Sequence, residues 1–254
     1  MMDVAVENET PLISMAGSAI VVEPMDDKRK WVFKTAQNDA HMATALVQHM
    51  TDKNVQTVAF VGFADAYGEG WYKEFAKIAE ARKLKIVANE RYQRNDTSVT
   101  GQILKLMSAQ PDAILIAGSA GLVPRSWHPA LEAWGATQFQ NRFEELAHRR
   151  MWEEDYQTWL ALRMIGEAAT RAQSTDPAAL RDFMLSPNFE IAGFKGQKLT
   201  LRDWDHQLRQ PILLTTGDVT ASVSPQDQYL HQSSALDTLG VDRPETECTF
   251  PEVP

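Results

Sequence analysis

A chain of 254 residues, 44% hydrophobic, has enough apolar side chains to close a core in one large domain or two small lobes. Its formal charge of -9, from 25 basic and 34 acidic residues, argues against a nucleic-acid backbone or an anionic membrane surface as partner, because both need clustered Lys and Arg. No run reaches the ~20 apolar residues of a spanning helix, so no direct membrane insertion is expected. The opening Met1–Thr10 is acidic and lacks the basic and apolar regions of a secretory signal. The lone cysteine, Cys248, makes neither an internal disulfide nor a cysteine zinc site.

Pro11–Ser14 is a short apolar run closed by Ala16-Gly17-Ser18, which predicts a strand entering a loop, and Trp31–Thr35 predicts a second strand. Asn38 or Asp39 can cap a helix to about Asp52, with Met42, Ala45, Leu46 and His49 at helical spacing. Thr57–Phe63 is aliphatic, β-branched and bounded by polar residues, the pattern of a buried strand. A loop over Ala64–Gly70 and an amphipathic helix over Trp71–Arg82 follow, then a strand over Leu84–Ala88. A helix over Thr97–Ala109 is expected to point Ile103, Leu104 and Met107 inward, before Pro111 and a last strand over Asp112–Ala117.

This β-α-β-α-β order, with continuous apolar strands, predicts an α/β fold with a parallel sheet covered by helices on both faces. Ligands bind such sheets at the carboxyl ends of the strands, so the loops to inspect are Ser14–Ala19, Phe63–Gly70 and Gly118–Gly121. After residue 121 the texture turns helical. Helices are expected over Trp127–Gly135, Thr137–Arg150, Glu153–Ala172 (Trp159, Leu162, Ile165 and Ala169 on one face) and Pro177–Leu185, capped by Thr175 or Asp176. Gln197–Arg202 and Pro211–Thr216 read as an antiparallel pair, followed by Val219–Val223 and a polar tail from Ser224. The expected organisation is therefore an α/β lobe over 1–120, and a helical region with C-terminal strands over 121–254.

Catalytic patterns are weak. The histidines at 41, 49, 128, 148, 206 and 231 form neither His-x-x-x-His nor His-Glu-x-x-His, so a helical zinc site is unsupported. There is no Gly-x-Ser-x-Gly elbow, and Gly62, Gly68 and Gly70 lack the spacing of a phosphate loop. Asp65, Glu69 and Glu74 could serve as acid and base, although carboxylates are also favoured at a helix N-terminus for electrostatic reasons. No metal and no cofactor are expected, and no catalytic residue is nominated.

Several segments occur in a telling order. Pro11-Leu-Ile-Ser-Met-Ala-Gly-Ser18 precedes Trp31-Val-Phe-Lys-Thr35 and Asn38-Asp39; then come Val58-Ala-Phe-Val-Gly-Phe63 with Asp65-Ala-Tyr-Gly-Glu-Gly70, then Glu90-Arg-Tyr92, Asp96-Thr97, and Pro111-Asp-Ala-Ile-Leu-Ile-Ala-Gly118. Over about residues 5–120 the set resembles the branched-chain amino-acid (Leu/Ile/Val) binding protein family of ABC importers, the type I periplasmic binding fold. Over about 121–250, Ser126-Trp-His128, Trp159-Leu-Ala-Leu-Arg163, Gly193-Phe-Lys-Gly196, Leu208-Arg-Gln-Pro-Ile-Leu213 and Asp237-Thr-Leu-Gly240 are similar to substrate-binding proteins associated with pyrroloquinoline-quinone-dependent alcohol dehydrogenase systems.

The resemblance implies two α/β lobes that trap a small solute and deliver it to an ABC permease in the periplasm; the solute is an amino acid or a metabolite of alcohol oxidation. It places ligand contacts at Ser14, Ala16 and Ser18 after the first strand, and at Tyr67. Against the family pattern the first lobe is expected to be incomplete, since strands before Pro11 are missing and no signal peptide is present. The alternatives are a rearranged remnant that binds nothing, a ligand-sensing domain, and an α/β hydrolase, which would need a nucleophile with a base in reach.

Overall fold

The computed structural model describes residues 2–15, 30–117 and 121–246. In chain order its elements are α1 (Met2–Glu7), β1 (Leu12–Ser14), β2 (Val32–Lys34), α2 (Asp39–Asp52), β3 (Thr57–Phe63), α3 (Ala66–Ala81), β4 (Lys85–Tyr92), α4 (Thr100–Ser108), β5 (Ala113–Ile116) and β6 (Val123–Arg125). Then come α5 (Ala136–Ala147), α6 (Glu153–Ala172), α7 (Pro177–Leu185), β7 (Ile191–Ala192), β8 (Lys198–Leu199), β9 (Ile212–Thr216), β10 (Val219–Ser224) and two 3-10 turns at Ala235–Thr238 and Arg243–Glu245. Contacts group the chain into two compact units: residues 1–38, 125–211 and 241–254 form one, and residues 39–124 and 212–240 the other. The partition expected at about residue 120 runs along the chain, whereas these units interleave along it.

The unit built from 39–124 and 212–240 holds the expected parallel sheet, in the order β4-β3-β5. Central β3 shows why its run is continuously apolar. Val58 and Phe60 point to one face, into a cluster with Val47 of α2, Trp71 and Phe75 of α3, and Leu214 of β9. Ala59 and Val61 point to the other, against Leu106 of α4, so both faces are dry and alternation with polar residues is lost. On α4 the inward stripe is Ile103 and Leu106. Leu104 and Met107, expected inward, are 62% and 57% exposed. They lie one residue beyond each inward position, and one residue is about 100° of helix rotation.

Helix α3 begins at Ala66, inside the stretch expected to be loop. Asp65 caps it, its Oδ1 accepting the Gly68 amide at 2.9 Å, so the first turn forms five residues before Trp71. In the second sheet, β9 pairs antiparallel with β10 and lies beside β6. Gly217 at φ +52 and Asp218 make the two-residue connection. The partner expected for Pro211–Thr216 was Gln197–Arg202. Instead Lys198–Leu199 pairs with Ile191–Ala192, and the Arg202 amide donates to the Gln207 carbonyl. A tight connection brings β9 and β10 together at little loop-closure cost.

The other unit carries the parallel pair β1-β2, with Leu12 opposite Val32 and Ser14 opposite Lys34. Residues 206–208 extend it: Lys34 N donates to the His206 carbonyl and Leu208 N to the Lys34 carbonyl. Helix α6 presents Tyr156, Leu160, Met164 and Ala168 inward, and Tyr156 stacks on Trp127 at 4.8 Å. Of the apolar face read from the sequence, Leu162 and Ile165 are 66% and 40% exposed, whereas Trp159 is half-buried and packs on Phe139 at 4.5 Å. Both faces of α6 carry apolar residues, so periodicity alone does not choose between them. The helix expected over Trp127–Gly135 is replaced by turns; Pro129 interrupts it, and Trp134 and Gly135 both take positive φ, which a helix cannot continue through. Asp176 caps α7 by accepting the Ala179 amide at 2.9 Å, with Pro177 in the first turn.

Candidate functional site

The carboxyl edge of β4-β3-β5 is where such a sheet presents groups to a ligand. Phe63 and Tyr92 end β3 and β4 opposite one another, with ring centroids 4.8 Å apart. Tyr67, in the first turn of α3, leans on Phe63 at 6.3 Å and is 49% exposed. Arg94, in the turn after β4, lays its guanidinium over Phe63 at 4.2 Å and lies 5.7 Å from the Tyr67 ring. Its Nε donates to Asp65 Oδ2 at 2.6 Å. One carboxylate therefore caps α3 with one oxygen and holds Arg94 with the other. The Gly68 amide, then Arg94, keep the Asp65 carboxyl below its usual range.

Asp39 opens α2 on the same unit and is partly buried. Burial, and then the negative charge of Glu74, push its carboxyl up to about 6. The Tyr67 phenol is also raised, first by burial and next by the Asp39 carboxylate, with Arg94 opposing. Tyr67 thus senses a carboxylate and a guanidinium of opposite sign. The three acidic residues considered as acid and base have separate partners. Asp65 holds Arg94, Glu69 pairs with Arg91 at 2.6 Å, and Glu74 acts on Asp39.

Of the ligand contacts implied by the resemblance, Tyr67 stands at this edge, on the helix rather than on a loop. Ser14 ends β1 in the other unit, where its carbonyl accepts the Thr35 amide at 3.0 Å. Ala16 and Ser18 lie outside the described residues, as do 118–120 of the third loop. Sequence reasoning missed Arg94 and treated Asp39 only as a cap. The signal for Asp39 was its place at a helix start; Arg94 had none beyond its position after β4. Among the described residues no cluster of three or more His, Cys, Asp or Glu could hold a metal ion, and no helix is long and apolar enough to cross a membrane.

Residues 1–124 match the family profile described as periplasmic binding protein. Among solved structures, a periplasmic binding protein from Burkholderia mallei superposes with a TM-score of 0.73 at 13% identity, covering 98% of this chain and 76% of that one. The fold is that of a periplasmic binding protein. A branched chain amino acid ABC transporter periplasmic ligand-binding protein from Burkholderia xenovorans gives a TM-score of 0.73 at 13% identity, covering 86% of this chain and 68% of its own. An extracellular ligand-binding receptor from Rhodopseudomonas palustris gives 0.62 at 23% identity, covering 86% and 76%. No curated protein matches the chain. In this periplasmic-binding-protein fold, Phe63 and Tyr92 end β3 and β4 at the edge where an open α/β sheet offers its ligand face, with Tyr67 of α3 and Arg94 of the following turn beside them.

Proposed function

We propose that the chain is the solute-binding component of an ABC importer, which captures a small solute and hands it to a membrane permease in the periplasm. The observation that carries this reading is the half-exposed Tyr67 at the carboxyl edge of the parallel sheet, braced by Phe63 and Arg94. Its ring can cover an apolar body while its hydroxyl stays hydrated. The periplasmic-binding-protein match over residues 1–124 and the names of the structural neighbours support the class. The solute is an amino acid or a metabolite of alcohol oxidation, the second following from the resemblance of about residues 121–250 to the alcohol-dehydrogenase-associated proteins. Binding is preferred to catalysis because a raised carboxyl such as Asp39 supplies by itself no nucleophile with a base in reach.

Titration calorimetry with leucine, isoleucine and valine, and with short aldehydes and hydroxy acids, tests the reading. Ser14, Ala16, Ser18 and Tyr67 are proposed as contacts. Tyr67→Ala and Ser18→Ala are expected each to weaken binding about tenfold, the scale of one lost aromatic or charge-assisted contact. Tight binding untouched by both substitutions would move the site elsewhere. Turnover of any of these compounds would replace the binding reading with an enzymatic one.

A further inference from the structure

Resting on the solute-binding reading, we infer that Arg94 is a recognition residue for a carboxylate, and that the solute is a carboxylate with an apolar body seated on Tyr67. Three observations support this. First, Arg94 is held before any ligand arrives: Nε is tied to Asp65 at 2.6 Å and the guanidinium carbon lies over Phe63, 4.2 Å from the ring centre. Asp65 is itself fixed, since its other oxygen caps α3. A cation held in this way loses little side-chain entropy on binding. Second, the tie uses Nε alone; among the described residues neither Nη carries a hydrogen bond, and the side chain is 60% exposed. Two Nη donors that remain open on a fixed fork match a carboxylate, whose two oxygens can accept in parallel. Third, the neighbouring surface is the half-exposed Tyr67 ring, 5.7 Å from the guanidinium, which suits an apolar body attached to that carboxylate.

A purely structural Arg94 would lock the cap of α3 and do nothing more, so the test needs a readout that stability does not move. That readout is the ratio of carboxylate to carboxamide affinity. Calorimetry on the full chain uses two matched pairs, leucine with leucinamide and 3-phenylpropanoate with 3-phenylpropanamide. Wild type is expected to prefer at least one acid over its amide by about tenfold or more, the scale of a charge-assisted pair. Arg94→Gln should bring that ratio close to one. Arg94→Lys, which keeps the charge without the fork, should retain only part of it. Thermal unfolding of each variant identifies any that fail to fold, and Arg94→Lys then carries the test.

Equal affinity for acid and amide in wild type, or a ratio unchanged in folded Arg94→Gln, overturns the inference and leaves the solute-binding reading standing. Binding of neither pair also overturns it. The wider panel of aldehydes and hydroxy acids then decides separately whether the chain captures solutes at all.

Discussion

Lys195 donates from Nζ to Gln210 Oε1 at 2.6 Å, and Gln210 in turn donates from Nε2 to the carbonyl of Thr35 at 2.5 Å. The same ammonium reaches the Pro211 carbonyl at 3.1 Å and sits 4.9 Å over the Tyr156 ring. One buried amine thus ties together two segments, 35–38 and 210–211, at the points where the chain leaves this unit. Burial lowers its pKa to about 7, with the Glu153 carboxylate opposing. The folded value lies below the ordinary 10.5, so the unfolded chain binds a proton that the folded chain lacks at alkaline pH. Stability should therefore rise as pH climbs from about 7 towards 10.5. Denaturant unfolding at pH 7 and 9.5 should show wild type gaining up to about 3 kcal/mol more than Lys195→Met over that interval. Parallel curves for the two proteins would mean that Lys195 is solvated.

His206 makes a prediction of the same sign at lower pH. Its ring stacks on Phe33 at 5.0 Å and its Nδ1 meets the Val32 carbonyl at 3.1 Å. Burial depresses the imidazole to about 4; the Val32 carbonyl opposes this, while the positive charges of Lys34 and Arg181 add to it. The stability owed to a neutral buried imidazole is present above about 6.5 and lost as pH falls through about 4. Wild type should lose up to about 3 kcal/mol across that window, and His206→Gln should lose much less. Tryptophan fluorescence during acid unfolding follows the difference, since Trp31 precedes β2 and is buried in this unit.

Asp39 should behave as a carboxyl that resists ionisation. Its folded value, about 6, stands above the ordinary 3.8, so the ionised form costs stability above pH 6 and that cost is relieved as pH falls towards 3.8. Asp39→Asn is expected to raise the stability of its unit at pH 7.5 by about 1 kcal/mol, a figure reduced for screening at its exposed side. The gain should vanish near pH 4. A gain independent of pH would point to helix propensity rather than to charge.

Gly68→Ala tests the seating of α3 beneath Tyr67. A Cβ at this position would lie 2.0 Å from the Phe63 carbonyl oxygen, too close without backbone movement. The glycine is therefore required by close approach of helix to strand, not by a turn. The substitution should cost about 3 kcal/mol, in the range of overpacked sites, and weaken solute binding as Tyr67 shifts. Gly70→Ala, with nothing within 4 Å of the added carbon, is the control and should be neutral or slightly stabilising.

Local pattern was sufficient wherever one residue type could satisfy only one environment. The unbroken apolar run Thr57–Phe63 has no polar face to show water, so it had to be a central strand; β5 beside it is also apolar but ends the sheet order and is mostly half-buried. Asp176 before Pro177 marked the start of α7 because cap and ring both act within one turn. Where two faces were equally apolar, as on α6, the choice fell to packing: Tyr156 stacks on Trp127, 29 residues earlier, and that contact turns Leu162 outward. The edge around Tyr67 was half legible. Its tyrosine followed from the resemblance, but the Asp65–Arg94 pair joins residues 29 positions apart. The class of fold was legible in the chain, because a sheet buried on both faces needs continuously apolar strands. Which charges meet at its carboxyl edge was a matter of long-range pairing: the parallel register of β3 and β4 brings their ends together, and no local periodicity encodes that register.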